Sequence, residues 1–276
     1  MLNNGLTMIL AATEAPATVA EWWAKYGDML VDGIWGTIYM TLVSTAIGYL
    51  FGLPMGVALV VTDKDGLRPN RVIYKILDVV ANIVRSIPFL ILLILLIPFT
   101  RALVGRSYGT TAVIVPLTIA AIPFIARMVE SSLKEVDAGV IEAARSMGAG
   151  TWQIITRVLL VEGRTSLIVN ATIAMGTILG YSAMAGTVGG GGLGDIAVRY
   201  GYNRYQYDVM FVTVALLIIL FQLFQTYGMM VANIFDRRRN SSLTAVKLVL
   251  FIILTVAISV CGGIGILSFI KEMFLK

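Results

Sequence analysis

The side chains that most often perform covalent chemistry are nearly missing from this sequence. It has no histidine and one cysteine, Cys261. Imidazole triads, histidine metal sites and proton relays are excluded, as are intrachain disulfides and clustered thiolate metal sites. One string imitates a nucleotide site, since Gly189, Gly191 and Gly194 satisfy G-x-G-x-x-G. That fingerprint needs a preceding strand, a following helix and an acid about 20 residues later. Here the glycines follow a long apolar run, so Gly191, Gly192 and Gly194 read as a gate or a hinge, where backbones approach closely and bend. No G-x-x-x-x-G-K-[ST] string occurs and no Gly-Lys pair exists, which excludes a Walker loop. Two other features could act on a solute or a partner. Arg85 precedes an apolar run too short to span alone, so its helix carries it near or inside the membrane, either on a pathway or helix pair or snorkelling to the cytoplasmic surface. The string Glu142-Ala143-Ala144 is followed after Met147 by a helix stop at Gly148.

The elements that must position these residues are membrane spans. Of the 276 residues, 58% are hydrophobic and 13% charged, against roughly 45–50% and about 25% in soluble domains. A span needs about 20 apolar residues. Six such runs occur near 31–61, 76–99, 110–130, 165–188, 209–235 and 246–270. The net charge of +5 is concentrated in alternate loops. Lys64, Arg68, Arg71 and Lys75 follow the first span, Lys134, Arg145, Arg157 and Arg164 the third, and Arg237, Arg238, Arg239 and Lys247 the fifth. The other side holds the more scattered Lys25, Arg101, Arg106, Arg199, Arg204, Lys271 and Lys276. By the positive-inside rule the three basic loops are cytoplasmic and the N-terminus is outside. Leu6 to Ala12 is a short apolar stretch with no basic residue ahead of it, so no signal peptide is expected. Residues 1–30 form an extracytoplasmic or interfacial segment, with Trp22, Trp23 and Tyr26 as an aromatic anchor. Pro54, Pro88, Pro98, Pro116 and Pro123 fall in or beside spans, where they can bend helices that line a cavity.

Residues 131–164 form a loop much longer than neighbouring helices need. Asp137 can cap a short helix that Gly148 ends, placing Val140, Ile141, Ala144 and Met147 on one face; Thr151 can cap a second helix running toward Leu160. A short helix with an apolar side suits a groove in a partner protein.

Glu142-Ala143-Ala144, three residues, Gly148, nine residues, then Val158 and Leu160 resemble the signature loop of permease subunits of ATP-binding-cassette (ABC) importers. There the pattern is EAA, three residues, G, nine residues, I, one residue, LP. Val161 replaces the proline here, which bears on how the fourth span is approached. RSIPF at Arg85–Phe89, IPFTR at Ile97–Arg101, VPLT at Val115–Thr118, PFIARMVE at Pro123–Glu130, GYSAM at Gly180–Met184 and GGLG at Gly191–Gly194 are similar to the methionine-importer (MetI-like) permeases, in order along the chain.

The resemblance implies an all-α integral membrane protein with the type I ABC importer permease fold. A five-span core at 31–235 would be followed by a basic loop and an additional C-terminal span at 236–276. It implies a homodimer in the bilayer of the bacterial cytoplasmic membrane, carrying two cytoplasmic ATPase subunits and fed by an extracytoplasmic methionine-binding protein. Glu142, Ala143, Ala144, Met147 and Gly148 would couple to the ATPase, and Tyr181, Ser182 and Met184 would line a pathway beside the glycine-rich segment. No metal, other cofactor, nucleic acid partner or catalytic residue is expected; ATP belongs to the partner subunit. The alternatives are a permease for another small amino acid or a methionine derivative, and a membrane scaffold or sensor that docks a cytoplasmic partner.

Overall fold

The computed structural model describes residues 19–235, which are helical throughout apart from short turns. The expected sixth span at 246–270, the basic stretch before it and the first 18 residues lie outside the described residues. Helix α1 (Val19–Thr62) is followed by α2 (Arg71–Ser86), α3 (Phe89–Leu95), α4 (Ile97–Val104) and α5 (Thr110–Lys134). The long loop holds α6 (Ala138–Ser146) and α7, which runs over 151–162 with a wide π turn at Ile155–Leu159. Then come α8 (Arg164–Ala185), α9 (Gly192–Ile196), extended by a second π segment, and α10 (Tyr207–Phe235). Four stretches are long and apolar enough to cross a membrane: α1, α5, α8 with its continuation through α9, and α10. The α2–α3 pair makes a fifth if taken together.

Two expected boundaries change. The helix that carries the first span starts earlier than position 31: α1 has 44 residues and continues unbroken through position 30, giving a helix of about 66 Å at 1.5 Å per residue, longer than a hydrocarbon layer of roughly 30 Å. Its aromatic start is held by tertiary packing as well as by any interface. Tyr26 and Leu30 are buried, Tyr26 meets Trp22 and Tyr200, and the Trp22 indole donates to Asp208 at the start of α10. The second span, expected as one run over 76–99, is broken between α2 and α3 with a 99° bend. Ile87 is extended (φ −81°, ψ 123°) and Pro88 follows it. A residue before proline is sterically pushed out of the α region, and proline has no N–H to donate. Pro54, Pro116 and Pro123 remain inside continuous helices, and Pro98 sits in the first turn of α4, where its missing donor costs nothing.

Helix α5 is the central element. Leu117, Ala121, Ile125 and Val129 recur every fourth residue and are almost fully buried. Helix α1 can lie against that stripe because Gly48, Gly52 and Gly56 repeat at the same spacing. A Cβ on Gly52 would stand 2.9 Å from both the Ile122 carbonyl oxygen and Ile125, and one on Gly56 would stand 2.6 Å from the Ala126 carbonyl oxygen and Val129. Small residues at this spacing let two backbones approach closely in a membrane. Helix α8 adds Ala174 and Ile178 to the same core.

Candidate functional site

The long loop is built from local capping. The Asp137 carboxylate accepts the Gly139 N–H at 2.6 Å and starts α6. At the other end Gly148 takes φ +80° while its N–H donates to the Arg145 carbonyl at 2.9 Å, and the Ala149 N–H donates to the Ala144 carbonyl at 3.1 Å. This is a left-handed glycine cap. The second helix is capped at Gly150 rather than Thr151, with the Gly150 N–H donating to the Gln153 side chain at 2.9 Å. Thr151 instead accepts from Arg68 at 3.2 Å, tying α7 to the α1–α2 turn. The junction with α8 falls at Gly163, whose absent Cβ would stand 2.9 Å from the Leu159 carbonyl oxygen; Val161 is exposed two residues before it.

The apolar residues of α6 divide. Ala144 is buried and Ile141 half-buried against the protein, whereas Val140 and Met147 are exposed, Met147 to 81%. Glu142, Ala143 and Gly148 are exposed with them. Trp152, which sequence reasoning did not single out, is 74% exposed just past the glycine turn. The result is a protruding rim of Val140, Met147 and Trp152 beside Glu142, unsatisfied by the chain's own packing among the described residues.

Beneath this loop lies an ion network that sequence reasoning also missed. Arg127 of α5 donates to Asp78 and, at 3.1 Å, to Asn82, both on α2, and at 2.6 Å to Glu130. Glu130, almost fully buried, also accepts from Lys134 at 2.8 Å and from the Tyr74 hydroxyl at 3.4 Å. Lys134 continues to Asp63 at 2.8 Å, just past the end of α1. The Lys134 ammonium, by donating to it, holds the Asp63 carboxyl below the usual carboxylate range, helped by the Lys64 backbone N–H. Helices α1, α2 and α5 are thus fastened together where α6 departs. One signal was available in the sequence: Arg127, Glu130 and Lys134 lie on one helical face at i, i+3 and i+7.

The remaining candidates are not gathered on one surface. Ser182 is buried and donates to the Leu179 carbonyl at 2.7 Å, while Met184 is half-exposed on another side of α8. Tyr181 stacks on Phe89 with ring centroids 4.5 Å apart and planes 4° from parallel. Arg85 faces the same region, at the end of α2. The glycine-rich segment folds back as a packed turn. A Cβ on Gly194 would stand 2.2 Å from the Ala183 carbonyl oxygen, and the Gly109 N–H donates to the Gly189 carbonyl at 2.9 Å. Gly191 and Gly192 both have positive φ, and the Leu193 N–H donates to the Thr37 hydroxyl of α1 at 2.9 Å.

Several helices long and apolar enough to span a membrane, one further span broken in the middle, and an exposed helical loop at one end make this a multispan membrane protein. Residues 48–241 match the family described as the binding-protein-dependent transport system inner membrane component, and the chain belongs to that family. It is 49% identical to the probable D-methionine transport system permease protein MetI of Vibrio cholerae, over 80% of this chain and 98% of that protein. It is 52% identical to the D-methionine transport system permease protein MetI of Salmonella typhimurium, over 57% of this chain and 73% of that one. Among solved structures it is similar to a chain of the methionine ABC transporter MetNI in inward-facing conformations. The TM-score is 0.76 and the identity 48%, with 77% of this chain and 99% of that chain covered.

Proposed function

We propose that this chain is the transmembrane subunit of an ATP-driven methionine importer of the bacterial cytoplasmic membrane. The observation that carries the reading is the 49% identity extending over 98% of a protein named as a D-methionine permease. The exposed rim of α6 and α7 supports it, because a short helix with an unpartnered apolar edge fits a groove in another subunit. In this reading the α6 loop is cytoplasmic, as its basic surroundings require, and the N-terminus is outside. Two copies pair in the membrane, each docking one ATPase subunit at Glu142–Gly148, and a methionine-binding protein delivers cargo from outside. ATP-driven closure of the ATPases moves α6. The ion network passes that movement to α1, α2 and α5, so that the pathway beside Tyr181 and the turn at Gly191, Gly192 and Gly194 opens to alternate sides. Hydrolysis takes place on the partner subunit and this chain holds no cofactor.

Labelled methionine uptake at low external concentration, in cells lacking this chain and complemented with it, tests the reading. Restored uptake competed mainly by unlabelled methionine is the expected result. Restoration competed better by another amino acid would overturn the cargo. No ATP-dependent uptake of any amino acid, with the chain in the membrane, would overturn the importer.

A further inference from the structure

At the α2–α3 break the structure holds a small cavity of about 160 Å³, lined by Arg85, Phe89, Leu92, Ala120, Phe124 and Tyr181 among others. Ala120 and Phe124 lie 14 and 10 residues before the end of α5 at Lys134. At 1.5 Å per residue the cavity is about 15–21 Å from the loop end of that helix, near the middle of a hydrocarbon layer roughly 30 Å thick. Irregular backbone at such depth is tolerated where it is buried in protein or lines a cavity.

Arg85 on α2 and Arg127 on α5 are treated differently. Arg127 pairs with Asp78, Asn82 and Glu130 through its two terminal guanidinium nitrogens. The Arg85 side chain, which is exposed, makes no hydrogen bond, ion pair or ring contact with any described residue. A guanidinium at membrane depth is costly and ordinarily finds a counter-charge, yet the other residues named around this one are aromatic or aliphatic. Beside it the stacked Phe89 and Tyr181 rings form a flat apolar wall, and the Tyr181 hydroxyl also has no partner among the described residues. The cavity therefore offers one cationic fork and one hydroxyl, and the other residues that line it are aromatic or aliphatic.

We infer that Arg85 is the carboxylate anchor of a cargo site within the membrane, taking an α-amino acid with an uncharged apolar side chain. The inference rests on the importer reading above and deepens it. The guanidinium donates in parallel to both carboxylate oxygens, a geometry that lysine cannot reproduce. The side chain lies along Phe89, Phe124 and Leu92, where a thioether gains sulfur–aromatic contact. The ammonium is left toward the Tyr181 hydroxyl and ring face. The break at Ile87–Pro88 separates Arg85 from Phe89, so a change in the α2–α3 bend would part the anchor from the wall and release the cargo.

The test is equilibrium binding of labelled methionine to the complex purified from membranes without its binding protein, with methionine and methioninamide as competitors. The amide keeps the thioether and ammonium and removes the carboxylate. For the unaltered complex, methionine should compete at least tenfold better than the amide. In Arg85→Gln that preference should collapse and methionine affinity should fall tenfold or more, with Arg85→Lys intermediate. Equal competition by acid and amide in the unaltered complex, which needs no variant to fold, would overturn the inference, as would undiminished binding by Arg85→Gln. If methionine is not the imported amino acid, the cargo reading has failed separately, and the imported amino acid with its amide decides on Arg85 in the same way.

Discussion

Gly148 offers the sharpest perturbation, because its role can be separated into backbone and steric parts. Its φ of +80° is in the left-handed region, yet a Cβ built there meets nothing within 4 Å. Any effect of substitution on the free chain is therefore conformational. A non-glycine residue held in this region costs about 1–3 kcal/mol; a β-branched residue is at the severe end and asparagine at the mild end. If the strain is relieved by undoing the turn, the docking-competent population falls by at most about 5- to 150-fold, at 1.4 kcal/mol per tenfold. Gly148→Val should accordingly weaken association with the ATPase by one to two orders of magnitude, and Gly148→Asn by only a few-fold. The thermal midpoint of the membrane core should hardly move in either, because the turn lies outside it. The assay is titrated copurification of the ATPase with each variant in detergent, followed by methionine uptake. Equal weakening by valine and asparagine would refute the backbone argument and point to contact with the partner, and full association of Gly148→Val would refute the need for the turn.

The exposed rim makes a complementary prediction: Met147→Ala, Trp152→Ala and Glu142→Lys should each reduce ATPase association and uptake while leaving thermal stability of the isolated permease unchanged, since these side chains are exposed. In the core, Gly52→Ala should lower the thermal unfolding midpoint by the equivalent of about 1–3 kcal/mol of overpacking. Gly180→Ala, also helical but with nothing within 4 Å of its Cβ, should be neutral or stabilising in the same measurement. The Asp63–Lys134 pair predicts a pH dependence. Because the folded Asp63 carboxyl titrates below its ordinary value of about 3.9, its contribution is complete above that value and is lost as pH falls through the lower folded one. Thermal midpoints between pH 3 and 6 should therefore show an acid-side decline that is shallower in Asp63→Asn, with the two profiles parallel above about pH 5.

What could be read directly from the chain was what depends on neighbouring residues. Hydropathy marks the spans, and α6 begins at Asp137 and ends at Gly148 because a carboxylate cap and a left-handed glycine act within one turn. The next cap lies at Gly150 rather than Thr151, and the threonine hydroxyl accepts instead from Arg68, remote in sequence. The break of the second span was present in Ile87-Pro88, but its 99° angle was not. A proline releases a helix from continuing straight, and the packing of both pieces against α5 then fixes their direction.

The sequence by itself determined that this is a multispan helical protein with an exposed helical loop and without histidine or clustered-thiol chemistry, because composition and short-range capping suffice for those conclusions. Only the tertiary structure decided which charges meet. Arg127 and Asp78 are 49 residues apart, and their pairing depends on how α2 and α5 rotate about their axes. The same rotation leaves the Arg85 side chain without a partner among the described residues, beside the stacked rings of Phe89 and Tyr181. It is set by the glycine stripe of α1, which admits α5 closely, and by Pro88, which turns α3 toward α8. These are contacts between distant segments, and the hydropathy of each segment alone does not specify them.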